Sequence, residues 1–391
     1  MRIAQEPCAG TTGSRRDNAA MPTAEELDAH LRLLLAGAFV IGAAFGAVSQ
    51  RTRFCTMGAL ADVFAFGDHT RLRAWVAAVA VAVLGFHLMV GLGWVRAGDS
   101  QYGGPRVGWL SALAGGAMFG VGMVLASGCA ARNLVRLGGG SLKSLVVVFV
   151  VGASGFAAMK GVSAVLRVAS VDRVAFELPA GQDAAGALAV ATGLPLQTLA
   201  PWLGAAVAAA LLAWVLARPE GRGREVAGGA AIGALVVAAW WLSGRLGFVP
   251  EHPETLEPAF LATNSRRMES LSLVAPLAWG LDWLLFFSDS RKTLTVGICS
   301  AAGIVAGSAL AAMATRSFRW EGFAGTEDTA LHLCGAVLMG TGGVTALGCT
   351  VGQGIAGLST LCAQSAIAVS AMVLGGFAGL QFQRWRVERG A

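Results

Sequence analysis

Apolar stretches of about twenty residues recur along almost the whole chain. They lie at about 31–49, 74–94, 108–128, 142–159, 196–217, 226–243, 271–287, 293–314, 331–348 and 361–382. A helix needs about twenty residues to cross roughly 30 Å of hydrocarbon, and at least eight of these runs are long enough or nearly so. Charged residues make up only 13% of the 391 and hydrophobic ones 55%. A soluble domain carries nearer 25% charge, and mean hydropathy here is +0.64. The fold class is therefore an all-α polytopic membrane protein with the lipid bilayer as its first partner.

Residues 1–26 are polar and lack an apolar core, so they read as a disordered tail and not as a secretory signal. Met21 is an alternative start to Met1. Residues 27–385 form one transmembrane domain, with 386–391 a C-terminal tail. The loops 160–195 and 244–270 are polar enough to lie outside the membrane. RPEGRGRE (218–225) and the C-terminal QRWRVERGA each carry three arginines, which favours the cytoplasm for both. The net charge of +6 fits loop arginines that set topology, and no basic stripe interleaved with aromatics points to nucleic acid. Seven cysteines form no CxxC pair and no zinc spacing, so neither a metal nor any other cofactor is expected.

The informative feature is where apolar runs stop. In LASGCAARNLVRLGGGS (125–141) the run breaks at Gly128-Cys129. In TALGCTVGQGIAGLST (345–360) it breaks at Gly348-Cys349. Shifting the chain by 220 residues aligns Gly115–Cys129 with Gly335–Cys349, and seven of fifteen positions match. This predicts two pseudo-symmetric repeat halves, about 31–195 and 226–382. Short helices are expected after each break, at about 130–138 and 350–358, and a third at 56–66 after SQRTRFC. A weaker pairing joins Gly42 and Gly46 to Gly303 and Gly307.

Repeats with discontinuous helices are transporter architecture, with substrate near the midplane. A half-helix that starts inside the protein aims free N–H groups at the break and favours an anion. Cys129 and Cys349 stand at such starts. Asn133 and Gln353, one turn on, are candidate neutral donors. Cys55 has a comparable setting, and Arg53 beside it is a candidate anion attractor. No strong cation is expected between the cysteines. Neutral thiols suit a soft ligand atom, sulfur or selenium. Cys8, Cys299, Cys334 and Cys362 read as small apolar fillers. Asp282 and His87 are ionisable residues within spans, for which structural hydrogen bonding outweighs a proton step.

At SQRTRFCTMGAL, SGCAARNLVRLGGGSLKSL and LGCTVGQGIAGLST the chain resembles the YeeE/YedE family of bacterial membrane proteins, also called the sulfur transport family. The resemblance covers about residues 35–385. It implies an hourglass-like body of two pseudo-symmetric halves whose short helices meet at a waist. It also implies relay of thiosulfate by S–H···S contacts along Cys55, Cys129 and Cys349. The expected activity is uptake of a small sulfur-containing anion across the bacterial inner membrane, not enzymatic turnover. A cytoplasmic sulfur-carrier protein or sulfurtransferase is the implied partner. The alternatives are a selenium-species transporter, a membrane sulfurtransferase using a cysteine thiolate, a Cu(I) transporter, or a sensor on the same fold.

Overall fold

A computed structural model describes residues 24–179, 181–217, 223–252, 255–289 and 292–390. Most of the expected tail 1–26, Cys8 and much of the 218–225 turn lie outside the described residues. Two boundaries differ from expectation. Residues 24–26 already belong to the first helix, and residues 386–390 continue the last one.

The helices, in order, are α1 Ala24–Thr52, α2 Thr56–Phe66, α3 Thr70–Gly91, α4 Trp109–Leu125, α5 Ala130–Gly138, α6 Leu142–Lys160 and α7 Val162–Ala169. They continue with α8 Ala184–Thr192, α9 Leu196–Leu216, α10 Gly223–Trp241, α11 Val274–Leu285, α12 Val296–Ala314, α13 Thr326–Thr345 and α14 Ala363–Gly390. Among the described residues, eight helical segments are long and apolar enough to cross a membrane. α13 has the length too, but opens with Glu327 and Asp328. β1 (Arg106–Val107) pairs antiparallel with β2 (Phe176–Glu177), and β3 (Phe248–Val249) with β4 (Ala259–Phe260).

The span expected at 271–287 is corrected. α11 has 12 residues, about 18 Å of helix, which is too short to cross. Asp282, 4% exposed, forms an ion pair with Lys292 on the returning chain. Leu284, Leu285, Phe286 and Phe287 beyond it face outward. A buried carboxylate paired in this way is a structural contact. His87 is likewise structural, with Nδ1 3.0 Å from the Val83 carbonyl.

Small residues set the packing, because lipid supplies no hydrophobic drive between helices and close backbone approach must supply contact instead. On α4 and α13, Gly115 lies against Gly342 and Ala346, and Gly122 against Gly335 and Met339. Residue numbers rise on one helix as they fall on the other, so this pair is antiparallel. On α1 and α12, Gly42 abuts Ser300, Gly46 abuts Ile304, Gly303 abuts Phe39 and Gly307 abuts Ala43. Here the numbers rise together, so the pair is parallel. One two-fold axis cannot relate both pairs. The shared GxxxG spacing of α1 and α12 therefore reflects their packing on each other.

Contacts at the helix ends sort the chain into two faces. Gly228 lies over Thr52, Gly229 over Ala74, Arg386 pairs with Glu327, and Glu321 pairs with Arg136 and Lys143. These gather the ends of α1, α12 and α14 with the starts of α3, α6, α10 and α13 on one face. The opposite face holds both hairpins and the starts of α4 and α14, where the Gly108 N–H donates to Gln364 Oε1 at 3.3 Å. Between the faces, Trp240 is fully buried against Phe86 at 5.3 Å and Tyr102 at 6.1 Å between ring centroids.

Candidate functional site

Both Gly-Cys breaks have the same backbone. α4 ends at Ala126 and α13 at Ala346. The next residue in each case is left-handed although it is not glycine: Ser127 at φ 54° and Leu347 at φ 58°. The Ser127 N–H donates to the Val124 carbonyl and the Leu347 N–H to that of Val344, each at 3.1 Å. The Gly128 N–H reaches the Met123 carbonyl and the Gly348 N–H that of Gly343, each at 2.8 Å. A left-handed residue with a bond reaching five positions back is a Schellman ending. A side chain in this conformation costs about 1–2 kcal/mol, and such strain tends to sit at functional sites.

Each of the three expected cysteines stands at or within three residues of the start of a short helical segment. Cys55 is the N-cap of α2 and Cys129 of α5. Cys349 precedes a π-helical turn at Gly352–Gly357. At Cys55 the sulfur accepts the Gly58 N–H at 3.3 Å, and at Cys349 it accepts the Gly352 N–H at 3.4 Å. A thiol here replaces the hydroxyl or carboxylate that normally satisfies an orphan N–H at a helix start. Its sulfur lone pair is engaged by backbone, and its S–H remains free to donate. Cys129 is 2% exposed and makes no cap bond.

Cys55 and Cys129 line one cleft, together with Ser49, Phe54, Arg132 and Val351. Cys349 is fully buried two residues before Val351. Thr350 lies beside the Cys129 thiol and lines an adjoining cavity with Thr56, Trp75 and Gly354. Gly348 opens instead onto a vestibule toward the opposite face, lined by Gln101, Arg167, Glu269 and Ser272. Burial pushes the Glu269 carboxyl up from its ordinary range, although the Ser265 N–H donates to it at 2.8 Å.

Several expectations change. Arg53 is exposed, turned outward by a left-handed backbone at φ 53°, and is absent from the cleft lining. The cation in the cleft is Arg132, so the expectation of no strong cation between the cysteines is corrected. Arg132 is the third residue of α5, and a side chain there folds back toward its N-cap. Its Cβ and Cγ accordingly crowd Gly128. The sequence signal was its spacing from Cys129. Asn133 has both amide N–H groups committed and Gln353 has one of its two committed. Asn133 Nδ2 donates to the Gly128 carbonyl at 2.9 Å and to that of Cys129 at 3.2 Å. Gln353 Nε2 donates to the Ala346 carbonyl at 2.6 Å. Both amides tie up carbonyls at the breaks, so their role is to brace the turn. Cys362 is buried, Cys299 half-buried, and Cys334 exposed on the outer side of α13. Among the described residues no cluster of three or more His, Cys, Asp or Glu is arranged to hold a metal ion.

Among the described residues, eight helical segments able to cross a bilayer, with α4 and α13 each breaking before a buried cysteine, make this a multi-pass membrane protein. The chain belongs to the sulphur transport family, whose profile matches residues 51–378. It is similar to the thiosulfate transporter TsuA of Escherichia coli strain K12, with 27% identity over 366 residues, covering 88% of this chain and 92% of that protein. It is also similar to the thiosulfate transporter TsuA of Spirochaeta thermophila, with 26% identity over 347 residues, covering 86% and 95% respectively.

Proposed function

We propose that this chain takes up thiosulfate, or a closely related sulfur-containing anion, across the bacterial cytoplasmic membrane. The terminal sulfur passes along Cys349, Cys129 and Cys55. Thiosulfate is a dianion, and bare transfer into hydrocarbon is prohibitive. The path replaces water with many weak contacts, so that the ion can leave each one as readily as it enters. The observation that carries this reading is the placement of the thiols at the starts of short helical segments. Backbone N–H groups engage the sulfur at Cys55 and Cys349, which orients each S–H as a donor toward a soft, negatively charged atom. The positive end of each short helix adds to the attraction. The names of the two relatives support the substrate class. The two halves work as inverted units, α4–α5–α6 against α13–turn–α14, in keeping with the antiparallel α4–α13 contact. A cytoplasmic sulfur-carrier protein or sulfurtransferase would then consume the product.

The test is uptake of thiosulfate labelled in its terminal sulfur into proteoliposomes. Wild type is expected to accumulate label, and Cys129→Ala and Cys349→Ala to lose it. Cys334→Ala, on the outer side of α13, is expected to behave as wild type. Equal uptake by all four proteins at equal reconstitution would sink the relay.

A further inference from the structure

A thiol suits only one end of thiosulfate. The other end is three hard oxygens sharing negative charge, and these call for O–H and N–H donors. We propose that Arg132 and Ser49 bind the oxygen end of the anion in the Cys55–Cys129 cleft, and that Thr350 and Trp75 receive it in the adjoining cavity. This rests on the transport reading above and adds a second recognition element to it.

Three polar atoms lining these two cavities are buried without a hydrogen-bond partner: Ser49 Oγ, Arg132 Nη1 and Trp75 Nε1. All three can donate, as can the Thr350 hydroxyl beside the Cys129 thiol. Ser49 is 2% and Thr350 3% exposed. Native structures rarely leave buried donors unsatisfied, and each such case calls for an explanation. A guanidinium is more demanding still, because it cannot be neutralised by losing its proton. Neither cavity is lined by a carboxylate. Two other arginines, Arg71 and Arg136, act on Arg132 electrostatically. Arg71 already pairs with Asp62 at 3.2 Å, and Arg136 with Glu321 at 3.4 Å. Arg132 is the cation left over at the cleft. The two buried amide oxygens that lack partners, Asn133 Oδ1 and Gln353 Oε1, belong to residues outside both linings. The environment thus offers donors to one anion with a soft end and a hard end. Thr56 lines both cavities, and Thr350 stands beside Cys129, so the donors run alongside the thiols.

The experiment measures thiosulfate uptake kinetics in proteoliposomes, with sulfate and the methanethiosulfonate anion as competitors. Methanethiosulfonate keeps the terminal sulfur but has two oxygens and a single charge. Removing one charged donor should raise KM roughly 10- to 100-fold. Arg132→Gln is therefore expected to raise the thiosulfate KM by that amount, and Arg132→Lys to recover part of it. In Arg132→Gln, sulfate should lose its inhibition while methanethiosulfonate keeps most of its own. Ser49→Ala should raise KM several-fold. An unchanged KM in Arg132→Gln overturns the proposal, whatever the cysteine variants do. If the cysteine variants transport normally while Arg132→Gln shows the raised KM, the relay falls and the oxygen site stands. Should Arg132→Gln fail to fold, Arg132→Lys and Ser49→Ala carry the test, and an unchanged KM in both overturns the proposal.

Discussion

On the proposed relay, Cys349 holds two jobs in one residue: its sulfur satisfies the Gly352 N–H at the start of a helical turn, and its S–H offers the anion a soft donor. Serine can do the first, but for the second it offers a hard O–H in place of the soft S–H. Cys349→Ser should hold thermal stability near wild type while uptake falls at least about tenfold. Cys349→Ala should lose both, with about 1 kcal/mol of stability going with the cap. Thermal unfolding and uptake, measured on the same preparations, separate the two roles. Glu269 gives a prediction with a sign. Burial raises its carboxyl above the ordinary range, so the neutral acid persists into mildly acidic solution. Above the raised value the carboxylate repels an anion in the Gly348 vestibule. Uptake should therefore rise as pH falls on that side, and Glu269→Gln should flatten the profile near its acid-side rate. A profile unchanged by the substitution would remove Glu269 from the entry step. At this scale the sequence was legible where spacing governs: the Gly-Cys pairs and the polar run before Cys55 marked the three thiols. It was not legible where direction governs. Arg53 and Arg132 are equally plausible by composition. A left-handed residue aims one outward and a helical N-terminus folds the other inward, and neither geometry can be read from residue type.

Short helices were read more accurately than long ones. The pieces expected at 56–66 and 130–138 coincide with α2 and α5, because a polar break, a cysteine cap and a following glycine mark both ends of each. The piece expected at 350–358 folds as a π-helical turn, rich in glycine and thus free to widen. The apolar run at 271–287 misled because hydropathy measures length of greasy sequence and not length of helix. Asp282 is placed there to meet Lys292 on the returning strand, a contact invisible to any window. Between elements, the α1–α12 seam is a close parallel contact. Gly46 has no room for a side chain against the Ile304 carbonyl. Gly46→Val must push the helices apart and should cost about 1–3 kcal/mol, read as a lower melting temperature in detergent. An unchanged melting temperature would mean that the seam has slack.

Folding sorts arginines that look scattered in sequence. Arg51, Arg71, Arg136, Arg319 and Arg386 all come to the face where α1 and α14 end, and the positive-inside rule makes that face cytoplasmic. A reporter fused after residue 391 should accordingly be active in the cytoplasm and silent outside. On this face residues 319–321 strap the two parts of the chain together. The Arg319 N–H donates to the Gly139 carbonyl at 3.1 Å, and the Leu142 N–H to the Glu321 carbonyl at 2.8 Å. Lys143 at 2.5 Å and Arg136 at 3.4 Å hold the Glu321 carboxyl below its ordinary range. A lowered carboxylate contributes stability above its unfolded value and loses it as pH falls through the folded one. The strap should therefore weaken only in strongly acidic solution, and Glu321→Gln should remove that dependence. The same strap, with the α1–α12 and α4–α13 seams, has a consequence for synthesis. The main partners of α1 and α4 are encoded late, so the first helices leave the ribosome with most of their glycine grooves empty. They must wait in the bilayer, guarded by the insertion machinery or by lipid, until the last third of the chain is made. A message truncated before residue 296 would yield a product in which α1 lacks its main partner, α12, and the cell's membrane proteases would be its natural fate.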